Sequence, residues 1–99
     1  MAISSFRDQG TFDIYQGNNT KKARQKCPVN LFDNAQDLMD LLDRAEQLTD
    51  IRNTPGLNLE SLTGVKDKFS MRINNQYRLT FYWQNNQAEA LNIEKHYEE

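Results

Sequence analysis

The spacing of apolar residues changes partway along this chain, and this change limits the possible folds more than any other feature. Over residues 31–48 apolar residues recur every three or four positions, the period of an amphipathic helix with one buried face. Over residues 69–83 they alternate with polar residues, the period of half-buried strands. The two periods together predict an α+β fold in which helices pack on one face of an antiparallel-rich sheet.

Polar turn segments divide the second half of the chain into strands. Residues 74–76 are expected to join two alternating strands in an antiparallel hairpin, and residues 84–87 to form the next turn. Residues 49–56, with Pro55 and Gly56, are expected to end the helix over 31–48. The other predicted elements are a short strand at Leu57, Leu59 and Leu62, a last strand at Leu91 and Ile93, an edge strand at Ile3 and Phe6, and a short helix ending near Gly17.

Length and composition exclude several classes of protein. The 99 residues predict one domain spanning 1–99, and a mean hydropathy of -0.86 excludes a membrane span. The lone cysteine, Cys27, excludes an intrachain disulfide, and no spacing of histidine, cysteine or carboxylates fits a metal site. Cys27 indicates a reducing compartment and fills space near the start of the helix. Since the first residues lack a signal-peptide pattern, we expect a cytoplasmic protein without a membrane partner.

The charges are segregated along the chain although the net charge is only -2. Residues 16–31 carry four basic side chains and no acidic one, whereas residues 33–50 carry six acidic side chains and one basic. The two segments are either solvated faces or a basic loop that meets phosphates beside an acidic helix that faces elsewhere. The basic side chains are Lys21, Lys22, Arg24 and Lys26.

The alternation in the strands predicts a second polar cluster. If the apolar residues face the helix, Arg72 and Arg78 share the opposite face, and inward-pointing Leu91 and Ile93 would add His96 to it. Arginine matches phosphate geometry, and histidine exchanges protons near neutral pH. The cluster therefore suits phosphodiester chemistry, unless the arginines pair with a carboxylate such as Glu94 and the histidine is an ordinary surface residue.

The core strands also carry a family resemblance. The segment SMRINNQYRLTFYW (residues 70–83), preceded by PGLNLESLTG (residues 55–64), resembles the HigB toxins of the RelE/ParE superfamily, also called plasmid-maintenance killer proteins. The segments ISSFR, IYQG, LLDRA and LTDIR match the same family in the same order, so the resemblance covers nearly the whole chain.

The resemblance implies a fold, an activity and partners. It implies the RelE-type microbial RNase fold, a curved antiparallel sheet with helices on one side. It also implies an endoribonuclease that cuts messenger RNA on the ribosome through attack of the ribose 2′-hydroxyl on the adjacent phosphate, with no cofactor and no metal. The implied partners are the ribosome, messenger RNA and a HigA-like helix-turn-helix antitoxin.

The resemblance also implies roles for individual residues. Arg78 matches the family's phosphate-stabilising arginine, and Arg72 matches an arginine that either binds phosphate or builds the sheet. Glu60 stands where some members have a catalytic histidine, and it is either a general base or half of a surface salt bridge. Thr63 stands where some members have a basic residue before the glycine, and Lys66 and Lys68 would partly replace the positive charge lost there.

The last strand departs from the family pattern. Members commonly end it in Asp-Tyr-His, whereas this chain has Lys95, His96 and Tyr97. His96 and Tyr97 keep the two catalytic side-chain types in exchanged order, and one step along a strand reverses the direction of a side chain. The pI of about 5.4 is also low for a toxin that binds ribosomal RNA. Two alternatives to the ribonuclease therefore stay open: a ParE-like inhibitor of DNA gyrase, and an inactive member that only binds its antitoxin.

Overall fold

The computed structural model describes residues 1–96, in which helices precede a four-stranded antiparallel sheet. No helix in these residues is long and apolar enough to span a bilayer. The helices are α1 (Gln9–Tyr15), α2 (Lys21–Arg24), α3 (Phe32–Arg44) and α4 (Leu48–Arg52), with one 3-10 turn at Val29–Leu31. The strands are β1 (Glu60–Ser61), β2 (Lys68–Arg72), β3 (Tyr77–Gln84) and β4 (Gln87–Lys95), hydrogen-bonded in that order across the sheet.

The core lies between α3 and one face of the sheet, as the two periods predict. The apolar stripe of α3 is buried, and so are the alternating apolar residues of the strands. Burial of these side chains supplies most of the free energy that holds helix and sheet together. The main fully or nearly fully buried residues are Ala35, Leu38, Met39 and Leu42 of α3, and Met71, Leu79, Phe81, Leu91 and Ile93 of the strands.

The predicted helix over residues 31–48 is wrong at its carboxyl end. The structure ends α3 at Arg44, because Ala45 adopts an extended backbone with ψ 136°. A separate helix, α4, then begins at Leu48, and the Asp50 carboxylate accepts hydrogen bonds from the backbone N–H groups of Glu46 at 3.0 Å and Gln47 at 3.1 Å. A capping carboxylate favours a new helix start, so the segment expected to end one helix forms another.

The basic segment is also more ordered than the predicted loop. Residues Lys21–Arg24 form the short helix α2, whose first turn is capped by the Thr20 hydroxyl, an acceptor for the Ala23 N–H at 3.1 Å. α2 packs closely on α1. A Cβ atom added at Gly10 would lie 2.5 Å from the Lys22 carbonyl oxygen, so only glycine fits there without a shift of the backbone.

Two predicted strands are shorter in the structure. The strand expected from Leu57 to Leu62 is reduced to Glu60–Ser61, because Asn58 has a left-handed backbone (φ 49°) that interrupts an extended run. The edge strand at Ile3 and Phe6 consists of two isolated parallel bridges, to Ala88 and Leu91 of β4. The short helix near Gly17 is confirmed as α1.

A bulge in β4 shifts the register between β3 and β4 by one residue. Thr80 lies opposite Asn92, whereas Tyr82 lies opposite Glu89, so β4 contains one residue more than β3 between these pairs. Ala90 in the bulge has a left-handed backbone (φ 54°), and its N–H donates to the Ser5 hydroxyl at 2.8 Å. Bulges of this kind bend the strand and increase its twist.

Candidate active site

Polar side chains from all four strands meet on the face of the sheet opposite α3. Residues directly opposite each other in antiparallel strands project from the same face, so the register determines which side chains are neighbours. Two rows cross this face: Glu60, Ser70, Thr80 and Asn92 in one, and Arg72, Arg78 and Glu94 in the next.

A cavity of about 290 Å³ opens on these rows. It brings together three of the predicted catalytic residues, Glu60, Arg78 and His96, from three separate strand regions. The fourth, Tyr97, lies outside the described residues. The remaining lining residues are Leu62, Ser70, Thr80, Glu94 and Lys95.

Arg78 is held in place by the backbone of the β2–β3 turn. Its Nη1 donates to the carbonyl oxygens of Asn74 at 2.6 Å and Tyr77 at 3.1 Å, and the side chain is half-buried. Among residues 1–96 its guanidinium forms no salt bridge. Carbonyl oxygens orient the group without neutralising its charge, so Arg78 presents a fixed positive charge to the cavity.

Glu94 does not neutralise the arginines, although it lies opposite Arg78. Its Oε2 accepts a hydrogen bond from the Thr80 hydroxyl and lies 4.0 Å from Lys68 Nζ. Lys68 Nζ also lies 5.5 Å from the centre of the Tyr82 ring, a cation–π contact. Lys68 therefore contacts the Glu94 carboxylate, and within residues 1–96 no salt bridge neutralises Arg78.

His96 directly follows β4. Its backbone N–H donates to the Gln76 carbonyl oxygen in the β2–β3 turn, which fixes the chain at the rim of the cavity. The turn thus positions both His96 and Arg78. Glu60 reaches the same cavity from β1, a two-residue strand at the sheet edge, where it is exposed.

The other predicted phosphate-binding residues lie outside this cavity. Arg72 and Lys66 are exposed and do not line it. Lys21, Lys22 and Arg24 are exposed on α2, where Arg24 Nη1 donates to the Asn19 side chain at 2.9 Å. α2 thus carries three exposed cationic side chains that do not line the cavity.

Lys26 differs from the other basic residues because it is bound within the fold. Its Nζ lies 2.6 Å from Asp8 Oδ2 and donates to Asn92 Oδ1 at 2.7 Å. Burial of Asp8 raises the pKa of its carboxyl, but the hydrogen bonds from Lys26 and Thr11 outweigh it and lower the pKa below 3.8. Lys26 therefore ties the N-terminal region to β4. It also borders a second cavity, of about 410 Å³, that shares Glu94 and Lys95 with the first.

From the sequence alone, Glu94 is predicted only as a partner for the arginines, and Thr80 is not predicted as part of the site. Counting residues outward from the turn at Asn85 and Asn86 would place Arg78 opposite Ile93. The bulge at Ala90 moves Glu94 into that position. The sequence signals this bulge through the spacing of its apolar residues. Ala88 and Leu91 are both buried although they lie three positions apart, and a regular strand buries positions separated by an even number, so β4 must contain one extra residue between them.

Within residues 1–96, no cluster of three or more histidine, cysteine or carboxylate side chains is placed to hold a metal ion. The side chains that line the cavity include guanidinium, imidazole, ammonium and carboxylate groups.

Known proteins resemble this chain over most of its length. The family model described as "RelE-like toxin of type II toxin-antitoxin system HigB" matches residues 4–96. A protein of Haemophilus influenzae described as uncharacterized is 33% identical over 92 residues, covering 92% of this chain and 88% of the relative. Toxin HigB-1 of Vibrio cholerae is 32% identical over 79 residues, covering 79% of this chain and 80% of the relative.

Proposed function

The chain belongs to the HigB-like family of RelE-like toxins of type II toxin–antitoxin systems, and we propose that it is a ribosome-dependent endoribonuclease that cuts messenger RNA and stops translation. Toxins of this type have an antitoxin partner. The proposal adds that this partner is a HigA-like helix-turn-helix protein, that the toxin is a single domain over residues 1–99, and that it acts in the cytoplasm.

The observation that carries the proposal is the charge of Arg78. It is fixed by backbone carbonyl oxygens at a cavity that also holds Glu60 and His96, and no carboxylate within residues 1–96 forms a salt bridge with it. A fixed cation beside groups that accept and donate protons is the arrangement that phosphoryl transfer through a negatively charged transition state requires.

The proposed reaction is an internal transesterification of RNA. The ribose 2′-oxygen forms a bond to the adjacent phosphorus while the bond from phosphorus to the 5′-oxygen breaks. A base takes the 2′-hydroxyl proton, and an acid, for which we propose His96, protonates the departing 5′-oxygen. The products are a 2′,3′-cyclic phosphate and a 5′-hydroxyl. In the transition state that leads to them, Arg78 stabilises the negative charge on the phosphate oxygens. Tyr97 is proposed to assist at the same phosphate.

The surrounding cations are proposed to hold the RNA rather than to react. Arg72 lies beside Arg78 in the sheet, and Lys68 follows on the same face. Lys66, Lys21, Lys22 and Arg24 are exposed outside the cavity, where they would contact flanking phosphates of messenger or ribosomal RNA. Lys26 would contribute mainly by placing α2, because Asp8 already pairs with it.

The test is primer extension on a reporter messenger after induction of the chain without its antitoxin. We expect cuts within translated codons for the wild type, and a loss of cuts and of growth arrest for Arg78→Ala and His96→Ala. Arg52→Ala is the matched control, because Arg52 is an exposed arginine on α4 that does not line the cavity. The amount of soluble protein and its thermal midpoint are measured for each variant.

Two outcomes would overturn the proposal. Growth arrest with an induced DNA-damage response and intact messengers would indicate a ParE-like gyrase inhibitor. Absence of growth arrest by the folded wild type would indicate a member that only binds its antitoxin.

A further inference from the structure

We propose that Glu94 is the general base that takes the 2′-hydroxyl proton, and that the Thr80 hydroxyl positions its carboxylate. This inference rests on the proposed ribonuclease activity. It assigns the base to a residue of β4 instead of to Glu60.

The register places Glu94 beside the phosphate-binding group. Glu94 lies directly opposite Arg78 on the neighbouring strand, and both line the same cavity. Cβ atoms of such cross-strand pairs are about 5 Å apart. A phosphate bound by the Arg78 guanidinium would therefore have its attached ribose within reach of the Glu94 carboxylate.

The Glu94 carboxylate is held in one orientation. The Thr80 hydroxyl, in a residue that is 5% exposed, donates to Oε2, and Lys68 Nζ lies 4.0 Å from the same oxygen. Both contacts use Oε2, so the proposal assigns the 2′-hydroxyl to Oε1. A base fixed before the substrate binds requires no reordering during the reaction.

Glu60 lacks these supports. It is exposed on the two-residue edge strand β1, and the described part of the chain gives its carboxylate no hydrogen bond or ion pair. An exposed glutamate loses side-chain entropy when it adopts a reactive position. Glu60 is better suited to contact the RNA at the rim of the cavity than to accept the proton.

The step conserves its atoms and charges. Glu94 takes the 2′-hydroxyl proton and becomes a carboxylic acid, the 2′-oxygen bonds to phosphorus, and the bond to the 5′-oxygen breaks as protonated His96 gives that oxygen a proton. Glu94 then releases its proton to water and His96 takes one up, which restores both groups.

The test is single-turnover cleavage of messenger on programmed ribosomes over a range of pH. Removing a general base costs about 10²- to 10⁴-fold in rate, so Glu94→Gln is expected to lose at least about 100-fold and to lose the rise of rate with pH on the acidic side. Thr80→Val keeps the shape of the buried residue and is expected to lose about 10-fold in rate while the concentration for half-saturation stays unchanged. Glu60→Gln is expected to keep the acidic limb.

Glu89→Gln is the matched control, because Glu89 is another half-buried glutamate on β4, opposite Tyr82 and outside the cavity. Its rate and pH profile should equal those of the wild type, and the thermal midpoints of all variants are compared. If Glu94→Gln keeps the wild-type acidic limb, or if Glu60→Gln loses it, Glu94 is not the base. If the wild type itself does not cut, the proposed function fails, a result distinct from the failure of this inference.

Discussion

Arg72 and Arg78 lie directly opposite each other on β2 and β3 and project from the same face of the sheet. Like charges in this position repel, and neither guanidinium forms a salt bridge within residues 1–96. Arg78 lines the candidate cavity and Arg72 lies beside it. A pair that lowers stability at the edge of a candidate site is typical of a surface that binds an anion, because the anion relieves the repulsion.

Replacing Arg72 should therefore raise stability while it lowers activity. Arg72→Gln removes the charge and keeps much of the side chain, so we expect the free energy of unfolding in urea to rise by about 0.2–1 kcal/mol. Cleavage of messenger should fall at the same time. Arg52→Gln, an arginine on a helix without an opposing arginine, should change neither; a loss of stability in Arg72→Gln would show that Arg72 builds the sheet instead.

The contact between α1 and α2 predicts a large effect at Gly10. In an exposed helix, alanine is more stable than glycine by about 1 kcal/mol. Here the added Cβ would lie 2.5 Å from the Lys22 carbonyl oxygen and 2.7 Å from Lys26 Cγ, so the two helices must separate. Gly10→Ala should therefore destabilise the protein, by about 1–3 kcal/mol, in urea or thermal unfolding. Lys21→Ala on the exposed face of α2 should stay within about 0.5 kcal/mol of the wild type, and an equally small change at Gly10 would contradict this packing.

Two carboxylates near α1 predict how stability depends on acid. Hydrogen bonds from Lys26 and Thr11, working against burial, lower the pKa of Asp8, and hydrogen bonds from Thr20 and Gln9 lower that of Asp13. Because both pKa values are below 3.8 in the folded state, these groups stabilise the protein above about pH 4. This stabilisation is lost as the pH falls through the lowered values.

The measurement is the thermal midpoint of the wild type and of Asp8→Asn/Asp13→Asn between about pH 6 and pH 2. The wild type should lose more stability than the variant below about pH 4. Parallel curves for the two proteins would mean that other groups control unfolding by acid.

Cys27 should be inert in the folded protein. Its side chain is 2% exposed, and burial raises the pKa of its thiol to about 11, with a small opposing effect of Lys26. Since the thiolate is the reactive form, labelling by a disulfide reagent at about pH 8 should require unfolding. Its rate should rise in proportion to the unfolded fraction as urea is added. Fast labelling without urea would contradict the buried position.

The fold class and the main elements followed from local pattern. The apolar stripe of α3 and the alternation in β2 and β3 are properties of neighbouring residues, and burying them allows few arrangements. The end of α3 and the start of α4 were not predicted, because Leu48 continues the helical period while the Asp50 side chain, bound to the N–H of Gln47, favours a new helix start. Periodicity describes which face is apolar and does not reveal such a cap.

For the candidate site, the sequence by itself determined which side chains leave the apolar face: Arg72, Arg78 and Glu94 alternate with core residues, and that parity is set by the pleat of each strand. The tertiary structure alone decided which of them are neighbours. The bulge at Ala90, whose N–H binds Ser5 from the other end of the chain, shifts β4 by one residue and places Glu94 opposite Arg78. The tertiary structure also decided that Lys26 forms a salt bridge with Asp8, whereas the Arg78 guanidinium binds a backbone carbonyl oxygen that does not neutralise it. Register and pairing depend on contacts between residues far apart in sequence, and no local pattern records them.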